Sequence, residues 1–164
     1  MDALRIVSLM AATMTMGLVA GAFALYAHTV MPGLGKTDDR TFVGAFQSMD
    51  RAIINPWFMG GGFLGALIFS ILAAVTHVGR PELPWIAVAL VLYIVTFVIT
   101  MAINVPRNDA LKAAGDPDGI ADLAAVRAEF DEARWVRWNR VRVLASTTAF
   151  GLLAWALTVH GMSS

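Results

Sequence analysis

The chain has 164 residues, 58% hydrophobic and 15% charged, with a mean hydropathy of +0.68 and no formal net charge. That balance is too apolar for an ordinary soluble domain of this length and places the chain in a membrane. Zero net charge supplies no basic face for nucleic acid, and the absence of cysteine excludes disulfides, thiolate nucleophiles, iron–sulfur clusters and cysteine-based zinc sites.

Four apolar runs, at about 4–31, 56–77, 83–103 and 141–160, are each long enough to cross a hydrocarbon core of about 30 Å as a helix. Backbone polar groups find no water in lipid, so helices that bond internally are the expected solution. The predicted fold is an all-α, four-helix transmembrane bundle of one domain, an integral multi-pass protein of the plasma membrane if the chain is bacterial. Ala22-Phe23-Ala24 has the form of a signal cleavage site. The apolar stretch around it exceeds the usual ~7–15 residues and only Arg5 supplies positive charge, so the first span is expected to be retained. Gly17-x-x-x-Gly21 in that span and Gly61-x-x-x-Gly65 in the second are expected to let helix backbones approach closely, and they permit self-association.

After the first span, Pro32-Gly33-Leu34-Gly35 is expected to break the helix. Phe42, Phe46, Met49 and Ile53 then recur at helical spacing and predict an amphipathic interfacial helix over 41–54, with Gln47, Ser48, Asp50 and Arg51 on its wetter side. Asn55-Pro56 marks the turn into the second span. The connection at about 78–84, with Gly79, Pro81 and Pro84, reads as a simple turn. The third span is expected to end at Asn104-Val105-Pro106, ahead of the loop signal Gly115-Asp116-Pro117-Asp118-Gly119. No breaker separates Ala121 from Phe150, so a helical extension is predicted to run unbroken into the fourth span.

Four spans put both long polar connections on one face and the termini with the short connection on the other. Only Arg5 and Arg80 fall on the terminal face, so the positive-inside rule makes the loop face cytoplasmic. Asn104, Asn139 and Arg142 come to similar depth on that loop face. Trp135, Asn139 and Arg142 also share one helical stripe, with Trp138 beside it and Arg107 as a second cation. A stacking plane, an amide and a guanidinium together suit a planar anionic ligand bearing oxygen. The plainer reading is that Trp and Arg at helix ends are interfacial anchors. No metal site is expected, because His28 lies on the loop face while His77 and His160 lie opposite, and there is no Glu-x-x-His pair. A His77–His160 pair stays open as haem ligands. Gly60-Gly61-Gly62 lies inside an apolar span and reads as packing, not as a phosphate loop.

Several motifs carry a resemblance over most of the chain. They are Gly21-x-Phe23, Met31-Pro32, Phe46-Gln47-x-Met49, Asn55-Pro56, Asn104-Val-Pro106-x-Asn108 and Trp138-Asn139-x-x-Arg142. In this order the chain resembles the anthrone oxygenase-like family of small four-span membrane proteins. Asp50 departs from the resemblance, standing where members often have asparagine. The family takes its title from fungal members that oxidise polyketide anthrones to anthraquinones, and most bacterial members have no assigned substrate. The resemblance implies oxidation by O2, without a cofactor, of an apolar aromatic or quinone-like molecule that partitions into membrane lipid. An anthrone has an acidic methylene and an electron-rich enolate, so the protein need mainly take a proton and hold an oxyanion. The implied catalytic set is Arg142, Asn139 and Asn104 on the enolate oxygen, with Asp109 or His28 as base. Trp138, Trp135, Asn108, Arg107, Gln47 and Asn55 are the implied substrate contacts. The alternative is a non-catalytic membrane protein that binds lipid, quinone or a partner subunit.

Overall fold

The computed structural model describes residues 2–163. Among them there is no strand, and four helical stretches are long and apolar enough to cross a membrane. In chain order the helices are α1 (Asp2–Leu34), α2 (Asp39–Ile53), α3 (Pro56–Thr76), α4 (Leu83–Ala113), α5 (Leu123–Phe130) and α6 (Glu132–Ser163). The long helices α1, α3, α4 and α6 form a closed four-sided bundle, in which α1 packs on α3 and α6, and α4 packs on the same two.

Alanines set the closeness of that packing. Ala12, Ala66, Ala73, Ala89, Ala149 and Ala156 are fully buried at the helix crossings, and Leu9, Met16, Tyr93 and Leu153 fill the space between. The two glycine pairs behave differently from expectation. A Cβ on Gly17 would sit 3.0 Å from the Phe150 ring of α6, one on Gly65 would meet the Thr15 methyl of α1 at an ordinary 3.5 Å, and Gly21 and Gly61 face open space. Of the four, Gly17 makes the tightest contact between helices. The outer surface is apolar as well, with Met14, Leu18, Ile68, Val91, Val98 and Leu144 exposed. Helices apolar on all sides are what lipid as solvent requires.

One expected helix end is not an end: α4 continues through Pro106 to Ala113, whereas α1 passes Pro32 but stops at Leu34, inside the expected breaker. In each, a π-helical turn stands just before the proline, at Tyr26–Val30 and at Thr100–Asn104. Proline breaks an α-helix because it lacks an N–H and crowds the carbonyl four residues back; a preceding turn that bonds five residues back opens the ladder there. A third π-helical segment, Pro56–Leu64, begins directly at Pro56. Conversely, the predicted unbroken run into the fourth span is interrupted at Asp131, whose φ of 53° is left-handed. Its carboxylate accepts from the Arg134 N–H at 3.2 Å, so a new helix begins there.

A second apolar layer covers one end of the bundle. Phe42, Val43 and Phe46 of α2 pack with Leu111, Phe130 and Trp135, and the Phe46 ring meets Phe130 at 4.7 Å and Trp135 at 5.7 Å. Arg127 of α5 lies 4.3 Å over the Phe42 ring, donates to the Thr37 carbonyl at 2.9 Å and pairs with Asp39 at 3.0 Å, fastening α5 to α2. The predicted amphipathic helix is present, but its buried face is turned. Ser48 and Arg51 are exposed as expected, whereas Gln47 and Asp50 are buried. Each is buried because its polar atoms are met: Gln47 Nε2 donates to the Leu111 and Gly115 carbonyls at 2.8 and 2.9 Å, and Asp50 is met by Asn108 and Lys112.

Candidate functional site

The three π-helical segments surround one cavity of about 230 Å³. Its walls are Phe23 and Tyr26 of α1, Phe46, Asp50 and Ile53 of α2, Phe58, Met59 and Phe63 of α3, Thr100, Met101 and Asn108 of α4, and Trp135 and Arg142 of α6. Wide turns misalign backbone carbonyls, which then need side-chain donors. Tyr93 donates to the Phe63 carbonyl at 2.6 Å, Asn139 to Phe23 at 3.1 Å and Arg107 to Ile103 at 2.9 Å. These bonds hold the distorted backbone in place around the cavity.

Arg142 is the central feature. Only 4% exposed, it donates through Nη2 to Asn139 Oδ1 at 2.8 Å and through Nη1 to Thr100 Oγ1 at 3.2 Å, and its guanidinium lies 4.3 Å over the Phe23 ring. Its Nε has no hydrogen-bond partner and no carboxylate pairs with it among the described residues. A buried cation costs several kcal/mol unless it is matched by negative charge. One neutral amide, a hydroxyl and a ring supply part of that match, and a bound oxyanion would supply the rest. Asn139 acts as the splint: with its amide on the Phe23 carbonyl and its oxygen on Arg142, it fixes the guanidinium on the cavity wall.

A second polar group borders the same cavity. Asp50 accepts from Asn108 Nδ2 at 2.7 Å and pairs with Lys112 Nζ at 2.7 Å; Lys112 also meets Asp109 at 3.0 Å. Asn108 Oδ1 in turn accepts from Trp135 Nε1 at 2.8 Å. The chain Trp135–Asn108–Asp50–Lys112 thus joins three helices and places one well-buried carboxylate across an apolar chamber that also contains a guanidinium.

Of the residues singled out from sequence, Arg142, Trp135, Asn108 and Asp109 border the cavity, Asp109 with its side chain largely in solvent. Asn139 touches Arg142 directly. Asn104 is buried beside them, donating to the Trp135 carbonyl at 3.3 Å. The others lie off the cavity wall. Gln47 ties α2 to the 111–115 backbone, Asn55 caps α3 by accepting from the Phe58 N–H at 2.9 Å, and His28 is exposed against Thr29. Trp138 is half-buried and Arg107 bonds its own helix. Lys112, Thr100 and Tyr26 were not picked out from sequence, and Asp50, Phe23 and Phe46 were named there without a role in a site. Asp50 carried a signal, since a carboxylate four residues after Phe46 continues the stripe that faces the bundle.

Among known protein families, one described as anthrone oxygenase matches residues 51–152. The matched stretch includes Thr100, Asn104, Asn108, Lys112, Trp135, Asn139 and Arg142, and begins one residue after Asp50. No curated protein and no solved structure matches the chain.

Proposed function

The chain belongs to the anthrone oxygenase family, and from that premise we propose that it oxidises an apolar, ring-fused aromatic substrate whose acidic methylene is conjugated to a carbonyl. The observation that carries this is Arg142, a cation with no carboxylate paired to it among the described residues, held by Asn139 and Thr100 on the wall of a cavity that Phe23, Phe46, Phe58 and Phe63 also line. A flat apolar substrate fills such a chamber, and loss of its proton creates an enolate whose oxygen meets the guanidinium. The interaction strengthens as charge develops, which is the condition for catalysis rather than mere binding.

Asp50 is the residue we assign to the proton. It is buried on the cavity wall, and Asn108 and Lys112 orient it. The methylene gives one proton to Asp50 and its electron pair passes into the ring system and carbonyl. Dissolved O2 accepts electrons from this enolate and bonds to the former methylene carbon, forming a hydroperoxide once protonated. Loss of water across the C–H and O–O bonds leaves a second carbonyl, so one O2 is consumed and one water released per quinone formed. Trp135 and Tyr26 line the chamber as flat surfaces against the substrate ring. Ile54 and Met101, exposed yet on the cavity wall, form an apolar mouth through which a lipid-dissolved substrate enters.

The test is incubation of purified protein with a model anthrone, aerobically and anaerobically, following quinone absorbance and O2 uptake. Quinone formation above the spontaneous rate, with one O2 consumed per product and oxygen from labelled O2 in the new carbonyl, is expected. A folded protein that adds nothing to the spontaneous rate sinks the assignment for that substrate class.

A further inference from the structure

At the other end of the bundle, about 25 Å along α4 from Thr100, three side chains from three separate elements converge. His77 follows α3, Glu82 precedes α4 and His160 lies near the end of α6. All are buried, at 0%, 0% and 8% exposure. One ligand atom from each lies within 4.8 Å of the other two, and the two imidazole rings stand 5.6 Å apart at 71°. We propose that His77, Glu82 and His160 form a binding site for a divalent transition-metal ion that clasps α3, α4 and α6 together.

The hydrogen bonding of His77 makes the case. Its Nδ1 lies 2.8 Å from the Ala73 carbonyl, and because a carbonyl can only accept, Nδ1 must carry the proton. In the neutral ring that leaves Nε2 as a bare lone pair, and Nε2 is buried with no hydrogen-bond partner among the described residues. An orphaned acceptor at that depth costs free energy unless something takes the lone pair. A ring nitrogen fixed by a backbone carbonyl while the other faces a carboxylate and a second imidazole is how metal-binding histidines are oriented.

The donor set selects the class of ion. Two imidazoles and one carboxylate suit Zn(II) and its neighbours Co(II), Ni(II) and Cu(II), whereas Mg(II) and Ca(II) take oxygen ligands. Tetrahedral coordination at about 2.0–2.1 Å sets ligand atoms about 3.4 Å apart, so from separations within 4.8 Å the site closes by at most about 1.4 Å on binding. His160 Nδ1 donates to Glu82 Oε1 at 2.8 Å, so metal binding there releases that proton and the two atoms then move slightly apart. Arg80 stands 3.9 Å from the far carboxylate oxygen, a long ion pair. The competing account is a hydrogen-bonded His160–Glu82 clasp with no ion, which predicts no metal uptake.

The deciding measurement uses full-length protein in detergent, carrying no histidine tag, treated with chelator, exchanged into buffer and titrated with Co(II). The expected result is saturation at one Co(II) per chain with the visible absorption of a low-symmetry, roughly tetrahedral site, and displacement of that spectrum by Zn(II). His77→Gln and Glu82→Gln, each required to elute as the monodisperse wild-type species, should bind Co(II) at least tenfold more weakly. No saturable uptake by folded wild type overturns the proposal, as does equal uptake by wild type and both variants. Because the readout is metal binding alone, it is independent of any oxygenase activity in the distant cavity.

Discussion

Replacing Arg142 with methionine should separate activity from stability. In the wild type the buried guanidinium costs several kcal/mol of lost hydration. Against this stand two charge-assisted hydrogen bonds of about 1.5–3 kcal/mol each, to Asn139 at 2.8 Å and Thr100 at 3.2 Å. Its contact with the Phe23 ring at 4.3 Å adds about 1–2 kcal/mol. These contributions nearly cancel. Methionine keeps most of the stem volume and places a thioether among Phe23 and Trp135, which favours sulfur–aromatic contact. The residual loss is then the Asn139 oxygen left without its donor, about 1–3 kcal/mol. Arg142→Met should therefore fold, with an unfolding midpoint lowered by less than about 10 °C. Catalysis should fall far more, by about 100- to 1,000-fold, the loss found when one preorganised oxyanion donor is removed. Thermal unfolding in detergent and O2-dependent quinone formation from a model anthrone measure the two effects on the same sample. Retention of more than a third of wild-type activity would refute the role given to the guanidinium. So would a variant that cannot fold, because Arg142 would then be a structural strut.

Asp50→Asn should stay folded, since Lys112 keeps its pair with Asp109, and should lower the rate at least about 100-fold if Asp50 takes the proton; substrate affinity measured anaerobically should change little. Tyr93→Phe leaves the Phe63 carbonyl unmet, costing about 1–3 kcal/mol in unfolding experiments and loosening the cavity wall. Asp131→Val should cost about 2–3 kcal/mol through the left-handed backbone and the lost cap, whereas Asp131→Asn should change stability by under about 0.5 kcal/mol. Asp38 caps α2, and the Thr41 backbone N–H holds its carboxyl below the usual range. A depressed carboxyl stabilises the fold above its unfolded pKa of about 3.9 and loses that contribution as pH falls through the lower folded value. The protection of the Thr41 amide, relative to its intrinsic exchange rate, should fall below about pH 4 in wild type and stay flat in Asp38→Asn.

The spans and the amphipathic helix were legible because hydropathy and helical spacing report burial directly. Trp135, Asn139 and Arg142 were legible as one stripe for the same reason, and the structure buries all three. Pro106 misled because a proline in sequence looks the same whether the helix ends or widens before it. Gln47 and Asp50 misled because a polar side chain reads as solvated until its partners are known, and those partners, Leu111, Asn108 and Lys112, lie more than 55 residues away in the chain. The break at Asp131 had no glycine or proline to announce it. Likewise Glu82 gave no sign that it would stand between two histidines from different helices, since that meeting depends on how three spans end.

The single π turns at Tyr26–Val30 and Thr100–Asn104 also bear on how chain length varies among related sequences. Each reaches one residue further than an α turn, so it is the geometric equivalent of one residue inserted into a regular helix. Removing a residue elsewhere in α4 would rotate everything beyond it by about 100° and swing Asn108 off the cavity wall. Removing one at the wide turn would instead restore an ordinary ladder and leave the same residues close to their present orientation, because the wide turn spends one more residue on the same rotation. A relative with a one-residue gap at either turn would thus keep both an intact membrane helix and the same side chains facing the chamber.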